Sequence, residues 1–191
     1  MPTDMEGQID MNFDSLWHFI VHRGIPVVQN KDELNHIYDL IKDCRSYLEV
    51  GSAEGNSLFV LGKALLPLST IVSVDKCEDG TRVKKQEVLN LLQESNLIVH
   101  EIKGFSYRRE TVKEASFYSN YDVVFIDAGH DYEDVIADAL CYGIMAKKYI
   151  IFHDILLEPV KQAFDWYVKK QHLQDRSYTF GTEYGYGVIK L

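Results

Sequence analysis

Hydrophobic residues follow two different spacings along this chain, and the two alternate. Short apolar runs rich in β-branched and aromatic residues predict strands, whereas apolar positions three or four residues apart predict helices. The predicted strands lie at 47–50, 70–74, 97–99, 123–126 and 149–152. The predicted helices lie at 58–66, 81–94, 132–142 and 159–170, with a short one ending at 115. Two further strands, 177–180 and 187–191, are joined by a glycine-containing turn that is typical of a hairpin.

This alternation predicts the fold class. Strand and helix alternate without a repeat or a linker, which is typical of an α/β domain with a doubly wound, mostly parallel sheet. With the two hairpin strands the predicted sheet has seven strands and ends in an antiparallel hairpin. In such sheets ligands bind beyond the carboxyl ends of the strands, so the residues that follow each strand are the candidates for function.

The N-terminal part lies outside this pattern. The first dozen residues are polar and predict a mobile lead-in, residues 13–21 predict a short helix, and residues 25–29 predict an extended segment before a helix that starts near residue 32. We therefore divide the chain into an N-terminal lead-in, residues 1–24, and a domain, residues 25–191. The N-terminus lacks the apolar region of a signal peptide, and no apolar run reaches the roughly 20 residues of a membrane span, so we expect a cytoplasmic protein.

The charge balance narrows the range of partners. The chain has 29 acidic and 20 basic residues, for a formal net charge of −9. Such a surface repels phosphate backbones and anionic lipid, so we expect neither nucleic acid nor a membrane as a partner. The basic pairs Lys84 with Lys85 and Lys147 with Lys148 are expected to lie on solvated helix or turn faces. Three distant cysteines without a CxxC pair favour neither a disulfide framework nor a zinc knuckle.

The turns after the first three strands have features of a nucleotide-like ligand site. Glycines 51 and 55 permit a tight turn and a close backbone approach, and the helix that follows points its positive end at this turn. The spacing lacks the middle glycine of the dinucleotide-binding motif. Asp75 ends the second strand and could accept ribose hydroxyls or cap the next helix. The third strand leads into Gly104, Phe105 and Ser106, where Phe105 could lie by an adenine or belong to the core.

Acidic and histidine side chains follow the fourth and fifth strands. Asp127 ends the fourth strand, His130 comes three residues later, and His153 and Asp154 end the fifth strand. Because unpaired carboxylates in a cleft repel one another, a divalent cation would stabilise them. Oxygen ligands favour Mg²⁺, Mn²⁺ or Ca²⁺ over zinc, and a histidine ligand widens that choice. Each residue alone could be a cap or a surface group, but the two strand ends together predict a metal site.

Several segments resemble one enzyme family. The segment EVGSAEG at 49–55 resembles the glycine-rich first motif of class I S-adenosylmethionine-dependent methyltransferases, whose fold is Rossmann-like. The segment FIDAGHDYEDV at 125–135, followed by Asp138, resembles the F-I-D-x-x-H-x-Y-E-x-V-x-x-D signature of the macrocin O-methyltransferase-like and cephalosporin hydroxylase-like branch. The segments IFHDI at 151–155 and YGYGV at 184–188 are similar to the fifth-strand and last-strand motifs of that branch. The likeness covers about residues 25–191.

The resemblance implies a role for each matching residue. S-adenosylmethionine would place its methionine part at the glycine-rich turn, its ribose at Asp75 and its adenine beside the turn at 104–106. A divalent cation, with Mg²⁺ preferred, would be held by Asp127, His153 and Asp154, and His130 would be the general base. The residues implied to contact the cofactor are Glu49, Gly51, Ser52, Gly55, Asn56, Ser57, Asp75, Lys76, Gly104, Phe105, Ser106 and Asp127.

The implied reaction is metal-assisted O-methylation of a small-molecule hydroxyl, on a sugar or a related compound. Methyl transfer from a sulfonium requires mainly that the protein position its reactants, and a neutral imidazole with a pKa of about 6.5 suits removal of the hydroxyl proton. The short N-terminal part leaves little chain for a substrate lid, so a homo-oligomer could complete the pocket. The alternatives are a nicotinamide-dependent oxidoreductase, which the missing glycine and the acidic cluster disfavour, and a non-catalytic cofactor-binding protein of the same fold.

Overall fold

The computed structural model of this chain describes residues 12–27, 29–77, 82–118 and 120–191, and its strands form one sheet. The strands are β1 (Ser46–Val50), β2 (Thr70–Asp75), β3 (Ile98–Lys103), β4 (Tyr121–Ile126), β5 (Ala146–His153), β6 (Ser177–Phe180) and β7 (Tyr186–Lys190). Their order is β3-β2-β1-β4-β5-β7-β6, and of the described strands β7 alone runs opposite in direction to all the others, pairing antiparallel with both β5 and β6. The predicted seven-stranded, mostly parallel sheet with a C-terminal antiparallel hairpin is therefore confirmed.

Helices cover both faces of this sheet. They are α1 (Phe13–His22), α2 (Lys31–Ile41), α3 (Asn56–Ala64), α4 (Arg82–Gln93), α5 (Arg109–Ser116), α6 (Tyr132–Tyr142) and α7 (Glu158–Lys170). Buried side chains of α1 to α4 pack on one face, and those of α5 to α7 form a second hydrophobic cluster on the other. Strands covered on both faces need apolar residues at successive positions, which explains the continuous apolar runs of the central strands.

Three local features differ from the prediction. Helix α3 begins at Asn56 rather than at 58, because Gly55, with φ of +88°, ends the preceding turn early. Strands β3 and β5 are longer than their apolar runs, since backbone pairing with the neighbouring strands continues past them. The expectation of a solvated Lys85 is wrong. This side chain is 2% exposed, and its Nζ lies 3.8 Å from Asp75 and 3.9 Å from Glu101.

The N-terminal division stays a prediction, because residues 1–11, where we expect a mobile lead-in, lie outside the described residues. The helix expected at 13–21 is present as α1, and Asn12 caps it by accepting a hydrogen bond from the Ser15 N–H at 3.0 Å. Its buried residues Phe13, Leu16 and Ile20 join the hydrophobic cluster on the α1–α4 face. Among the described helices, none has the length and apolar character needed to cross a membrane.

The strand order reverses between β1 and β4, which lie side by side at the centre of the sheet. A crevice opens beyond the carboxyl ends of strands at such a point, because the connections leave toward opposite faces. The Gly51 N–H donates to the Val74 carbonyl and the Asp127 N–H donates to the Val50 carbonyl, both at 2.8 Å, so the pairing continues to the rim of this crevice.

Candidate cofactor and metal site

The turn after β1 lies directly against the end of β4. Gly51 has φ of +89°, and a Cβ at this position would stand 2.3 Å from the Asp127 carbonyl oxygen and 2.4 Å from the Ala128 Cα. Gly55 has φ of +88°, and a Cβ there would meet the Val88 side chain at 3.0 Å. Backbone lies against backbone at Gly51, so only glycine fits there.

Two cavities open on either side of this contact. The first, which we call the aromatic cavity, has a volume of about 350 Å³ and is lined by the predicted residues Asp75, Lys76, Gly104, Phe105 and Ser106, together with Tyr107. The second, which we call the acidic cavity, has a volume of about 450 Å³ and is lined by Ser52, Gly55, Asn56, Ser57, Asp127, His130, His153 and Asp154. Gly51, Ala53, Asp127 and Ala128 line both cavities. The structure thus gathers nearly all the predicted site residues at one edge of the sheet.

The aromatic cavity has a partly exposed aromatic pair at its wall. Phe105 is 42% exposed and stacks on Tyr107 with ring centroids 5.4 Å apart, so it is not a core residue. The Arg108 guanidinium lies 5.1 Å from the Phe105 ring centroid. The loop is tied down by the Tyr142 hydroxyl, which donates to the Ser106 carbonyl at 2.7 Å. An aromatic face held in this way can stack on a planar ring.

Asp75 lines the same cavity and is held by the backbone around it. One carboxylate oxygen accepts a hydrogen bond from the Ala53 N–H at 2.8 Å, and the other accepts one from the Cys77 N–H at 2.6 Å. The Ala53 N–H belongs to the turn after β1, and the Cys77 N–H belongs to the two residues that follow β2. The carboxylate therefore connects the two turns that frame the cavity and still reaches its surface.

Glu49 differs from the other predicted cofactor residues because it is fully buried behind the glycine turn. It accepts hydrogen bonds from the Tyr47 hydroxyl and the Ser57 hydroxyl, each at 2.6 Å. Burial raises the pKa of Glu49 to about 7, against the opposing effect of the two hydroxyl donors. The hydrogen bond from Ser57 means that Glu49 holds the Ser57 side chain in position at the start of α3.

The predicted metal ligands meet at the ends of β4 and β5. Ligand atoms of Asp127, His153 and Asp154 all lie within 4.8 Å of one another. The His153 Nδ1 is 3.2 Å from Asp127 Oδ1 and 3.3 Å from Asp154 Oδ1. The His130 Nε2 is 2.7 Å from Asp154 Oδ2 and 3.9 Å from Asp127 Oδ1, on the exposed side of the cluster.

This arrangement fits a divalent cation. His153 is 5% exposed, yet within the described part of the chain neither of its ring nitrogens makes a hydrogen bond, although two carboxylate oxygens lie near Nδ1. Asp154 has φ of +54°, an uncommon conformation for a non-glycine residue that often marks a functional position. Two carboxylates and one imidazole whose ligand atoms lie this close together are a set that suits Mg²⁺ or Mn²⁺.

The charges of the cluster depend strongly on one another. Asp127 and Asp154 raise the pKa of His130 to about 10, well above the value near 6.5 expected from the sequence. Burial lowers the pKa of His153, but the charges of Asp127 and Asp154 outweigh it and raise that pKa to about 10. Burial raises the pKa values of Asp127 and Asp154, but the charges and hydrogen bonds of His130 and His153 outweigh burial and hold the aspartate pKa values below the usual range. The two carboxylates thus favour positive charge at this cluster.

Gln29 and Tyr184 are among the lining residues of the acidic cavity that were not identified as site residues from the sequence. Gln29 is 8% exposed, and its Nε2 donates to Asp127 Oδ2 at 3.3 Å. Tyr184 lies in the turn between β6 and β7, with its ring centroid 6.1 Å from that of His153. The sequence signals were a polar residue at the end of an apolar run for Gln29 and the motif-like segment 184–188 for Tyr184, and neither specifies a contact with a residue so far along the chain.

Comparison with known proteins defines the family. A family model described as a methyltransferase domain matches residues 48–155, which extend from β1 through β5 and include the acidic cluster. The match covers more than half of the chain, so the chain belongs to this methyltransferase domain family.

Individual relatives are distant. A protein of unknown role from Acanthamoeba polyphaga mimivirus is 32% identical over 119 residues, which are 59% of this chain and 52% of that protein, so the chain matches about half the length of this relative. An O-methyltransferase from Bacillus cereus, solved with S-adenosylhomocysteine, has a TM-score of 0.65 at 16% identity and covers 100% of this chain and 92% of its own. The O-methyltransferase TomG from Streptomyces achromogenes, involved in tomaymycin synthesis and solved with S-adenosylmethionine, has a TM-score of 0.68 at 14% identity, with coverages of 94% and 88%. At these identities the two structures establish the Rossmann-like methyltransferase fold alone.

Proposed function

We propose that this chain is an S-adenosylmethionine-dependent O-methyltransferase that acts, with a divalent cation, on the hydroxyl of a small molecule such as a sugar or a related compound. The observation that supports this most directly is the pair of adjoining cavities. One offers a carboxylate and an aromatic face, and the other offers an acidic cluster with a histidine at its rim. The family membership and the cofactors bound by the two structural neighbours agree with it.

The cofactor is proposed to lie across the Gly51 contact. Asp75 would accept the ribose hydroxyls, Phe105 would flank the adenine, and the turn that ends at Gly55 would receive the methionine part. The methyl group to be transferred would then face the acidic cavity. Holding the two reactants in line is the main contribution that the protein makes to such a displacement.

Asp127, His153 and Asp154 would hold the cation, which when bound supplies a Lewis acid that lowers the pKa of an acceptor hydroxyl. His130 is 49% exposed on its side chain and lines the same cavity, so it is placed to take the hydroxyl proton. Because Asp127 and Asp154 raise its pKa to about 10, His130 acts as a base only when their negative charge is offset. A cation at the cluster would offset it.

The second candidate is a nicotinamide-dependent oxidoreductase, since Asp75 could equally accept the hydroxyls of a nicotinamide cofactor. Thermal shift separates the two, because a ligand that binds only the native state at 100 times its dissociation constant adds about 2.7 kcal/mol of stability. We expect S-adenosylhomocysteine to raise the melting temperature and NAD⁺ to leave it unchanged. The reverse result would favour the oxidoreductase. A response to neither would contradict both candidates, whereas binding of S-adenosylhomocysteine without any methyl transfer would favour the non-catalytic alternative.

The cytoplasmic location, the homo-oligomer and the particular methyltransferase branch stay predictions from the sequence. Size exclusion with light scattering measures the oligomeric state directly.

A further inference from the structure

Two buried amides connect the acidic cluster to the glycine-rich turn. The Gln29 Nε2 donates to Asp127 Oδ2 at 3.3 Å, and the Asn56 Nδ2 donates to Gln29 Oε1 at 3.0 Å. Gln29 comes from the segment before α2, Asn56 from the first turn of α3, and Asp127 from the end of β4. All three line the acidic cavity, so the connection runs along its wall.

The carboxylate of Asp127 determines the orientation of both amides. An ionised carboxylate can only accept hydrogen bonds, so Gln29 must turn its NH₂ group toward Asp127. The Gln29 carbonyl then faces Asn56, and Asn56 must in turn present its own NH₂ group. The two amides therefore have one favourable orientation. In that orientation the carbonyl Oδ1 of Asn56 is the atom left without a hydrogen-bond partner among the described residues.

That carbonyl oxygen is the unusual feature. Asn56 is only 3% exposed, and its Oδ1 has no hydrogen-bond partner within the described part of the chain. Buried acceptors in folded proteins are nearly always paired, and an unpaired one at the wall of a cavity requires an explanation. A donor group of a bound ligand would provide the missing partner.

The charge of the cavity indicates what kind of donor this is. Carboxylates of Glu54, Asp127 and Asp154 line the acidic cavity beside His130 and His153, and the described lining residues include no lysine or arginine. Three carboxylates against two histidines leave the described lining net negative even with both imidazoles protonated, so a cationic N–H group fits this field better than an anionic one.

We propose that Asn56 Oδ1 accepts a hydrogen bond from a cationic N–H group of a bound ligand, and that Gln29 is a positioning residue that holds both this amide and the Asp127 carboxylate. The inference rests on the proposed function, in which the ammonium of the amino-acid part of S-adenosylmethionine is that group. Gln29 thereby joins cofactor binding to cation binding, because one side chain contacts a residue of each site.

Calorimetric titration with two ligands tests the role of Asn56. S-adenosylhomocysteine has the ammonium group, whereas 5′-methylthioadenosine shares the nucleoside and the sulfur but lacks the amino-acid part. We expect N56L to weaken S-adenosylhomocysteine binding by about tenfold or more, as for a lost hydrogen bond to a charged group, and to change 5′-methylthioadenosine binding less than about twofold. We expect N56S, whose hydroxyl can both donate and accept a hydrogen bond, to lose less affinity for S-adenosylhomocysteine than N56L does.

Equal losses for the two ligands in N56L, or an unchanged affinity for S-adenosylhomocysteine, would overturn the inference and leave the proposed function standing. A wild-type protein that does not bind S-adenosylhomocysteine would instead overturn the proposed function and this inference with it.

Binding of Mn²⁺, measured by electron paramagnetic resonance without any cofactor, tests the positioning role of Gln29. We expect Q29L to weaken Mn²⁺ binding by about tenfold, in the range seen when a residue that orients a metal ligand is removed. The matched control is Q86L, because Gln86 forms an exposed amide pair with Asn90 on α4 and should leave the affinity unchanged. Wild-type Mn²⁺ affinity in a folded Q29L protein would contradict the positioning role. If Q29L does not fold, the comparison of N56L with N56S for the two ligands still decides the inference.

Discussion

The two cavities that meet at Gly51 are built in different ways. The aromatic cavity is lined by the end of β2 and by residues that follow β1, β2, β3 and β4, and the carboxylate of Asp75 already has a backbone partner on each oxygen. The acidic cavity collects residues from five separate parts of the chain, and it contains buried polar atoms of Asn56 and His153 that have no hydrogen-bond partner among the described residues. The Asp75 carboxylate of the first cavity is therefore paired within the protein, whereas the second cavity has buried polar atoms that a ligand could pair.

If this contrast is correct, a substitution in one cavity should leave ligand binding in the other unchanged. We expect the largest effect at His130. We expect His130→Ala to reduce turnover by about 10²- to 10⁴-fold, as for loss of a general base. Binding of S-adenosylhomocysteine should stay close to wild type, because His130 lines only the acidic cavity. Product formation and calorimetry measure the two effects, with His18→Ala on the exposed side of α1 as a control. Full turnover in His130→Ala would exclude the proposed base.

Gly51 lines both cavities, so a substitution there should disturb both of them. We expect Gly51→Ala to lower the free energy of unfolding by about 3 kcal/mol, because the new Cβ meets backbone and the positive φ adds strain. Gly24→Ala is the matched control, since Gly24 also has a positive φ but a Cβ there would meet no atom within 4 Å. The control should cost about 1 kcal/mol. Urea unfolding measures both, and equal losses would contradict the close contact at Gly51.

Asp154 should affect the acidic cavity alone. We expect Asp154→Asn to weaken Mn²⁺ binding by at least about tenfold, because it removes one of two charged oxygen ligands. The affinity for 5′-methylthioadenosine should not change, since Asp154 does not line the aromatic cavity. Wild-type Mn²⁺ affinity in Asp154→Asn, with an unchanged response of the activity to a chelator, would exclude Asp154 as a metal ligand.

Phe105 should give the complementary result with the smallest effect. We expect Phe105→Ala to weaken binding of S-adenosylhomocysteine by about five- to tenfold through lost stacking and to leave Mn²⁺ affinity unchanged. Phe117 is 73% exposed and belongs to neither cavity, so Phe117→Ala is the control. A loss of Mn²⁺ affinity in Phe105→Ala would show that the cavities are not separable.

The sequence predicted the strand ends well, and the reason is the regularity of a parallel sheet. Apolar runs mark the buried strands, and the carboxyl ends of parallel strands share one edge, so Asp75, Asp127 and Asp154 were expected near each other. The structure brings all three to that edge.

What the sequence could not predict depends on contacts between distant residues. Lys85 has the local pattern of a solvated helix face, and only its neighbours Asp75 and Glu101 on the adjacent strands explain its burial. Gln29 lies 98 residues before Asp127, and no local spacing relates the two. The raised pKa of His130 likewise arises from carboxylates on two different strand ends, which a single motif does not reveal.

Calorimetric titration of the wild-type protein with S-adenosylhomocysteine, with and without Mg²⁺, tests the central claim most directly. The account predicts one site per chain with micromolar affinity in both conditions, because the aromatic cavity and the Gly51 turn are formed by the protein alone. Absence of binding in both conditions would contradict the assignment of these cavities to that cofactor and would return NAD⁺ and a non-catalytic role to first place.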